Sequence, residues 1–551
     1  SATGGTAVVT ATDAADALTG NVTVTMPILG QIMMAAQQSK QFFSVLGVRF
    51  SGFQETSFIT FQLVDTNGQP YPAGLAVTFA HEPLNGSYIG QVATCPAAIP
   101  PSCTATGTTD ASGQVSVALN SGRTAGVVAV SVSATSGGNA ASFTTGNFAI
   151  VGAKPSGAHI TVDCTPKNVP ALTLNDCTYS HYTGPDSEVT CAATFADRFN
   201  NVLGVATQVA FYSEAGSFGP PTTTPAFGAK GAGTAIDFLE VTGGTLPWDV
   251  APFGPVATGE FSTTYLDQCG NLTHNPRDGL VTIIAIAYGE EGFVDVNGNG
   301  SYDVGEPFID MGEPYIDAND NGVYDLGETF IDLNQDGKYE GPNGKWDANT
   351  VIWAETRILY SDYAQLMTVG GNNALSRFWS VGSPPAPTAP SSFDKPSANP
   401  PPPLAPLLGP TSGPSSSTRS LVFMDGNFNR PSHLTTFSVA PEGTGIVSAS
   451  FFVEPDDFDN IGMSFTQQYC DAPTAPTKCS NVCPTAPCYV VTNVGGCDLA
   501  SRTTCTGFHY GNYGSVTITG ACAKAGSDVV DASATLDGVQ TRVSIAGDCT
   551  P

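Results

Sequence analysis

The dominant pattern along the chain is short runs of alternating β-branched and small residues, cut by Gly, Pro, Asn and Asp. Residues 7–12, 58–64, 114–119, 127–133 and 281–287 are of this kind. A period of two sends successive side chains to opposite faces of a strand, and the residues between the runs tolerate tight turns. Helical periodicity is nearly absent, and 31–45 is the one stretch that admits a helix. The pattern therefore predicts an all-β chain of antiparallel sandwiches. At 551 residues there is room for three or four such domains.

Charge narrows the partners. The formal net charge is −29, from 48 acids and 19 bases, yet only 12% of residues are charged. A polyanion is repelled by nucleic acid and by anionic headgroups, so neither is an expected partner, and cations are. The longest apolar run, near 280–288, is far short of the ~20 residues that cross a bilayer as a helix. No direct membrane insertion is expected. The 14 cysteines form no haem-attachment or zinc-ribbon pattern and read as seven disulfides, which implies an oxidising compartment. Local loops Cys95–Cys103 and Cys164–Cys177, and a longer tie Cys191–Cys269, are candidate pairings, and spacing alone leaves the connectivity open. Ser1 opens without a basic or apolar leader, so any signal peptide is expected to have been removed.

Two segments repeat one theme. The first holds Asp65-Thr-Asn-Gly-Gln-Pro, a strand ending at Phe79, Thr109-Asp-Ala-Ser-Gly113 and an apolar strand from Gly126. The second holds Asp197-Arg-Phe-Asn-Asn201, a strand ending at Phe211, Asp267-Gln-Cys-Gly-Asn271 and an apolar strand from Leu280. Both Phe residues are expected to point between the sheets. This order resembles the bacterial immunoglobulin-like domains of the invasin/intimin type, over about 40–152 and more loosely 158–368. The resemblance implies a rod-like extracellular module, used as a spacer or an adhesive tip. The second copy departs from it by carrying cysteines and a long acidic insertion.

The most specific motif lies in that insertion. Asp295-Val-Asn-Gly-Asn-Gly-Ser-Tyr-Asp-Val-Gly-Glu306 is followed by Asp317-Ala-Asn-Asp-Asn-Gly-Val-Tyr-Asp-Leu-Gly-Glu328. Both match the 12-residue EF-hand loop at every ligand position. A hard cation such as Ca2+ takes six to eight oxygens, and alternate residues Asp295, Asn297 and Asn299 converge three of them. Gly300 permits the sharp turn, Ser301 offers its carbonyl, Asp303 stands at position nine and Glu306 closes the site. Asp317, Asn319, Asn321, Val323, Asp325 and Glu328 repeat the set. A third copy comprises Asp332, Asn334, Asp336, Lys338 (by its carbonyl) and Glu340. Counting along the chain puts Asn343 at its twelfth position, so a weaker or remodelled site is expected. The links 306–310, 313–317 and 328–332 also repeat, with aromatic and Ile residues placed for a small shared core. Pro307 and Pro314 exclude flanking helices, so the loops resemble the calcium repeats of dockerins and of bacterial surface proteins. Between Glu290 and Asp347 stand 15 acids and two lysines, a density that repels itself without cations.

The predicted organisation is tandem immunoglobulin-like β-sandwiches with an inserted calcium-binding loop segment. It comprises an N-terminal strand segment at 1–40 that is a candidate donor strand, and a sandwich at 41–152. A second sandwich at 158–368 carries the insertion 290–347. A Pro-rich linker at 383–418 leads to a Cys-rich sandwich at 419–551. From 384 to 414 lie 12 of the 41 prolines, and eight cysteines follow. The six histidines are scattered, and no nucleophile elbow or phosphate loop occurs, so no enzyme is expected. The expected function is a secreted structural protein, a subunit of an extracellular fibre or surface assembly stabilised by calcium and disulfides. It would self-associate by exchange of the strands in 1–30. The alternative is an adhesin or carbohydrate-binding surface module with a glycan or surface ligand. Either places the chain outside the cell, at a surface or in a secreted filament.

Overall fold

The computed structural model describes residues 5–16, 18–38, 41–81, 86–90, 103–175, 178–185, 187–248, 276–319, 322–363 and 365–366. Further along it describes 416–425, 431–432, 434–441, 446–453, 463–468, 488–494, 514–522 and 526–549. Cys95, Cys177, Cys269 and Asn321 lie outside these, as do 367–415 of the proline-rich region.

The chain begins with a hairpin, β1 (Gly5–Asp13) and β2 (Leu18–Met26), paired along their full lengths from Gly5↔Met26 to Asp13↔Leu18. These are the strands in 1–30 that the sequence offers for exchange with a neighbour, and here they pair with each other.

The first sandwich follows in β3 (Leu29–Met34), β4 (Val45–Gly47), β5 (Thr56–Asp65), β6 (Ala76–His81), β7 (Tyr88–Ile89), β8 (Cys103–Thr108) and β9 (Gln114–Asn120). It ends with β10 (Gly126–Val128), β11 (Val130–Ser136), β12 (Asn139–Thr144) and β13 (Phe148–Val151). One sheet has the order β3-β5-β9-β7 and faces β12-β11-β6-β8, while β10-β13-β4 extends the wall. Alternation drives the packing: β6 reads exposed, buried, exposed, buried, so Val77 and Phe79 enter the core. Phe61 and Phe79 meet across it with centroids 5.7 Å apart. β3 occupies part of the stretch that admits a helix. Leu29 and Ile32 gain burial against β5 there, and the tertiary gain outweighs the weak local preference. No α-helix occurs among the described residues.

The second sandwich uses β14 (Ile160–Thr165), β15 (Asn168–Pro170), β16 (Leu172–Asn175), β17 (Thr178–His181), β18 (Val189–Phe195), β19 (Gln208–Ser213) and β20 (Thr222–Thr223). Then come β21 (Thr234–Leu239), β22 (Leu280–Gly289) and β23 (Thr350–Ser361). The sheets are β14-β18-β21 and β15-β23-β22-β19-β20, with β16-β17 as a separate hairpin. In both sandwiches an early short strand runs parallel to the last: β4 beside β13, and β15 beside β23. The chain is thus all-β, built of immunoglobulin-like sandwiches.

The Asp turns repeat structurally. Asp65, Asp110 and Asp197 each accept two backbone N–H groups on Oδ1, at i+2 and i+4. Each fixes a tight connection through a residue in the left-handed region, Gly68, Gly113 or Asn200.

One disulfide overturns two of the candidate pairings. Cys164 bonds Cys191, its direct neighbour across β14 and β18, which rules out both Cys164–Cys177 and Cys191–Cys269. The pairing is set by strand register, which spacing along the chain does not reveal.

Beyond the proline tract, Ser416–Met424 forms a strand that takes in the last positions assigned to the linker. Its sheet includes Ile446–Val453 and Gly514–Cys522, while Thr436–Pro441 pairs with Gly526–Leu536, which pairs in turn with Val539–Cys549.

Candidate cation-binding segment

β22 and β23 are neighbours in one sheet, paired from Leu280↔Leu359 to Gly289↔Thr350. The acidic segment is therefore the excursion between two core strands, and its ends are pinned at the edge of the second sandwich. Trp353 of β23 packs edge-on to Tyr315 at 5.4 Å and donates to Gly312 O. Thr282 donates to Asp317 O at 2.9 Å.

The first loop has a defined frame. Gly300 N donates to Asp295 Oδ2 at 2.8 Å, and Ser301 N to Asn299 Oδ1 at 2.7 Å. Val296 N and Asp303 N donate to the two carboxylate oxygens of Glu306, both at 2.9 Å. The second loop repeats this. Gly322 N donates to Asp317 Oδ2, and Ala318 N and Asp325 N to Glu328. Gly300 and Gly322 hold φ of 82° and 80°, where a Cβ would be strained.

The third frame departs from a count along the sequence. Asp332, Asn334, Asp336 and Gly337 form its first half, with Gly337 N on Asp332 Oδ2 at 2.8 Å. Glu313 provides the closing carboxylate, accepting from Leu333 N at 2.7 Å and Glu340 N at 3.1 Å. Position twelve therefore falls to Glu313, upstream of the loop. Asn343 belongs elsewhere.

A fourth frame is assembled from three stretches. Gly344 N donates to Asp310 Oδ2, and Lys345 N to Asn343 Oδ1. Met311 N and Asp347 N donate to Glu291 Oε1 and Oε2 at 2.7 and 2.8 Å. Position for position this is the first loop's pattern, with Asp310 for Asp295, Asn343 for Asn299, Asp347 for Asp303 and Glu291 for Glu306.

Sequence reading missed Glu291, Asp310, Glu313 and Asp347 and gave Asn343 to the third loop, though a signal was there. Four links share the form Glu-x-aromatic-Ile/Val-Asp: 291–295, 306–310, 313–317 and 328–332. Each link closes one frame with its Glu and opens another with its Asp. The first and fourth frames are joined by two links bridged at Phe293↔Phe308. The second and third are joined by two links bridged at Tyr315↔Phe330. Aromatic rings fill each pair: Tyr302 stacks on Trp346 at 5.0 Å, and Tyr324 on Tyr339 at 4.0 Å.

Asp295 Oδ1 is buried without a hydrogen-bond partner. A hard cation suits such an oxygen, since an orphaned buried acceptor is costly. Asn297 and Asn299 both donate their amide N–H to Asp303 Oδ2 at 2.6 Å. Asn319 does the same to Asp325 and Asn343 to Asp347. These N–H dipoles lie where positive charge is wanted, and turning an amide over presents its oxygen instead. Among the described residues no three His, Cys, Asp or Glu groups are placed to hold a metal ion by themselves, so a cation in any of these frames would need Asn and backbone oxygens as well.

The carboxyls carry the strain of close packing. Burial pushes the Glu291 carboxyl up to about 8 against two opposing backbone hydrogen bonds, and that of Glu328 up to about 7. Burial also raises Asp310. A bound divalent ion would reverse that cause.

No family model matches the chain, and no curated protein does. Solved structures to which the chain aligns include invasin, a bacterial integrin-binding protein, at 14% identity and a TM-score of 0.21. That alignment covers 91% of this chain, which spans 58% of that one. The Escherichia coli adhesin FdeC aligns over 95% of this chain and 97% of its own, at 10% identity and a TM-score of 0.26. Yersinia pseudotuberculosis InvD aligns over 95% and 96%, at 12% identity and a TM-score of 0.28.

Proposed function

We propose that this chain is an extracellular structural protein of a surface layer or fibre, whose second sandwich is stiffened by calcium in four paired frames. The fourfold recurrence of one hydrogen-bond frame on carboxylate and Asn oxygens carries the reading. Thirteen net negative charges in 58 residues require counter-charge, and calcium outside cells is plentiful enough to keep modest sites filled. The ion's role is then permanent stiffening.

The hairpin β1–β2 supports the assembly part of the reading. A two-stranded hairpin alone is marginal in water. This one exposes Val8, Val9, Leu18, Val22 and Val24, and both its edges are open among the described strands. Added to the sheet edge of a second copy, it would join subunits head to tail.

Negative-stain microscopy of native material, with and without chelator, tests the proposal. Long filaments, lost on deleting residues 1–15 while the monomer stays folded, are the expected result. Short isolated rods that bind a glycan array would replace it with the adhesin reading.

A further inference from the structure

The first loop lies against the joint between the two sandwiches. That joint is short: Ala153 N donates to Asp197 Oδ2 at 2.8 Å, and a Cβ on Gly152 would lie 2.3 Å from Val202 O. Asn201, from the Asp197 turn, accepts from Ala125 N and donates to Arg123 O, both in the first sandwich.

Two arginines, one from each sandwich, hold the loop's backbone. Arg123 donates to Gly298 O and stands 3.8 Å from Asp295 Oδ2. Arg198 donates Nη1 to Gly300 O at 2.7 Å and forks onto Glu290 at 2.6 and 2.5 Å, with Lys154 3.4 Å from the same carboxylate. Phe50 lies over Gly300, where a Cβ would come within 2.1 Å of the ring. Its φ of 67° is an outlier for a bulky residue, and such strain persists only where surroundings enforce it. Arg49 and Arg123 lie 4.7 and 5.3 Å from its ring centroid.

We infer that a divalent cation in the first loop locks the joint, by fixing the Gly298 and Gly300 carbonyls and the Gly300 turn on which Arg123, Arg198 and Phe50 seat. This rests on the calcium reading above. Without the ion, Asp295, Asp303 and Glu306 repel, the loop loosens and both carbonyls lose their fixed direction. The first sandwich then loses its attachment through the loop and keeps those through the Asp197–Asn201 turn and the Gly152↔Leu203 bridge. Linkage makes the coupling reciprocal, so the seated arginines raise the loop's affinity for its ion by the same factor.

Hydrogen exchange on the full chain, with calcium or chelator, reads the joint at 48–53, 122–126 and 152–153. Terbium luminescence, sensitised by Tyr302 and Trp346, reads occupancy of the loop. Calcium should slow joint exchange at least tenfold in the wild type. Arg123→Ala should bind the same number of ions, more weakly, and lose most of that protection. Asp295→Asn should lose it while the second and third frames still fill. Joint exchange insensitive to calcium while terbium titrates normally would overturn the lock and leave the calcium reading standing. Full calcium-dependent protection in Arg123→Ala would also overturn it. Absence of any terbium signal would overturn both.

Discussion

Arg357 Nη2 lies 2.7 Å from Asp317 Oδ2, with the two side chains 1% and 0% exposed. The arginine comes from core strand β23, and the aspartate opens the second loop. One ion pair therefore anchors the acidic excursion to the sandwich. Removing one member of a buried pair leaves a charge with no counter-charge, at about 3–5 kcal/mol. Arg357→Ala should lower stability by that order in chelator, measured by denaturant unfolding. The deficit should shrink in calcium, which supplies Asp317 with a second positive partner. A loss below about 1 kcal/mol in chelator would contradict the anchoring role.

The frame assignments separate cleanly by mutation. Glu313→Gln should weaken cation binding in the third frame at least tenfold. Asn343→Ala should leave the third frame intact and weaken the fourth. Because the fourth is bridged to the first, Asn343→Ala should also reduce the terbium signal from Tyr302 and Trp346. Isothermal titration of the two variants checks this, and an effect of Asn343→Ala on the third frame would restore the count along the sequence.

Acid should stabilise the metal-free segment. Glu291 and Glu328 have folded pKa values near 8 and 7, above the ordinary 4.5, because burial disfavours their charged forms. Between about 4.5 and 8 the folded state holds more protons than the unfolded one, so stability falls as pH rises through that window. Calcium binds the deprotonated forms and should flatten or invert the slope, with proton release on binding. Thermal unfolding across pH 4–9, in chelator and in calcium, checks the sign.

The disulfide predicts a local effect. Cys164–Cys191 closes a separation of 27 residues, which the chain-entropy argument values at roughly 3–4 kcal/mol. The double substitution to Ser should cost about that much in the second sandwich and leave cation stoichiometry unchanged.

Much of the strand pattern was legible because burial of alternate faces writes a period of two into the sequence. Val77 and Phe79 of β6 are an example. Where that signal lapses, as in 29–34, pairing with β5 decided the structure. The first two frames were legible because all the side chains that accept their backbone N–H groups lie within twelve residues. Glu313 and Glu291 were not, because their frames are closed by a carboxylate from another stretch. The antiparallel bridges Phe293↔Phe308 and Tyr315↔Phe330, with backbone hydrogen bonds such as Glu291 N to Asp347 O and Glu313 N to Glu340 O, bring those stretches together. The Cys164–Cys191 pair was hidden for the same reason, since it depends on which strands become neighbours.

The paired frames predict a definite number of bound ions. Native mass spectrometry of the full chain, titrated with calcium after chelator treatment, counts them directly. Four calcium ions, filled in two pairs and reduced by Glu313→Gln and Asp310→Asn separately, are predicted. Two ions, insensitive to both substitutions, would confine binding to the loops that match in sequence and contradict the paired frames. No specific binding would contradict calcium stiffening altogether.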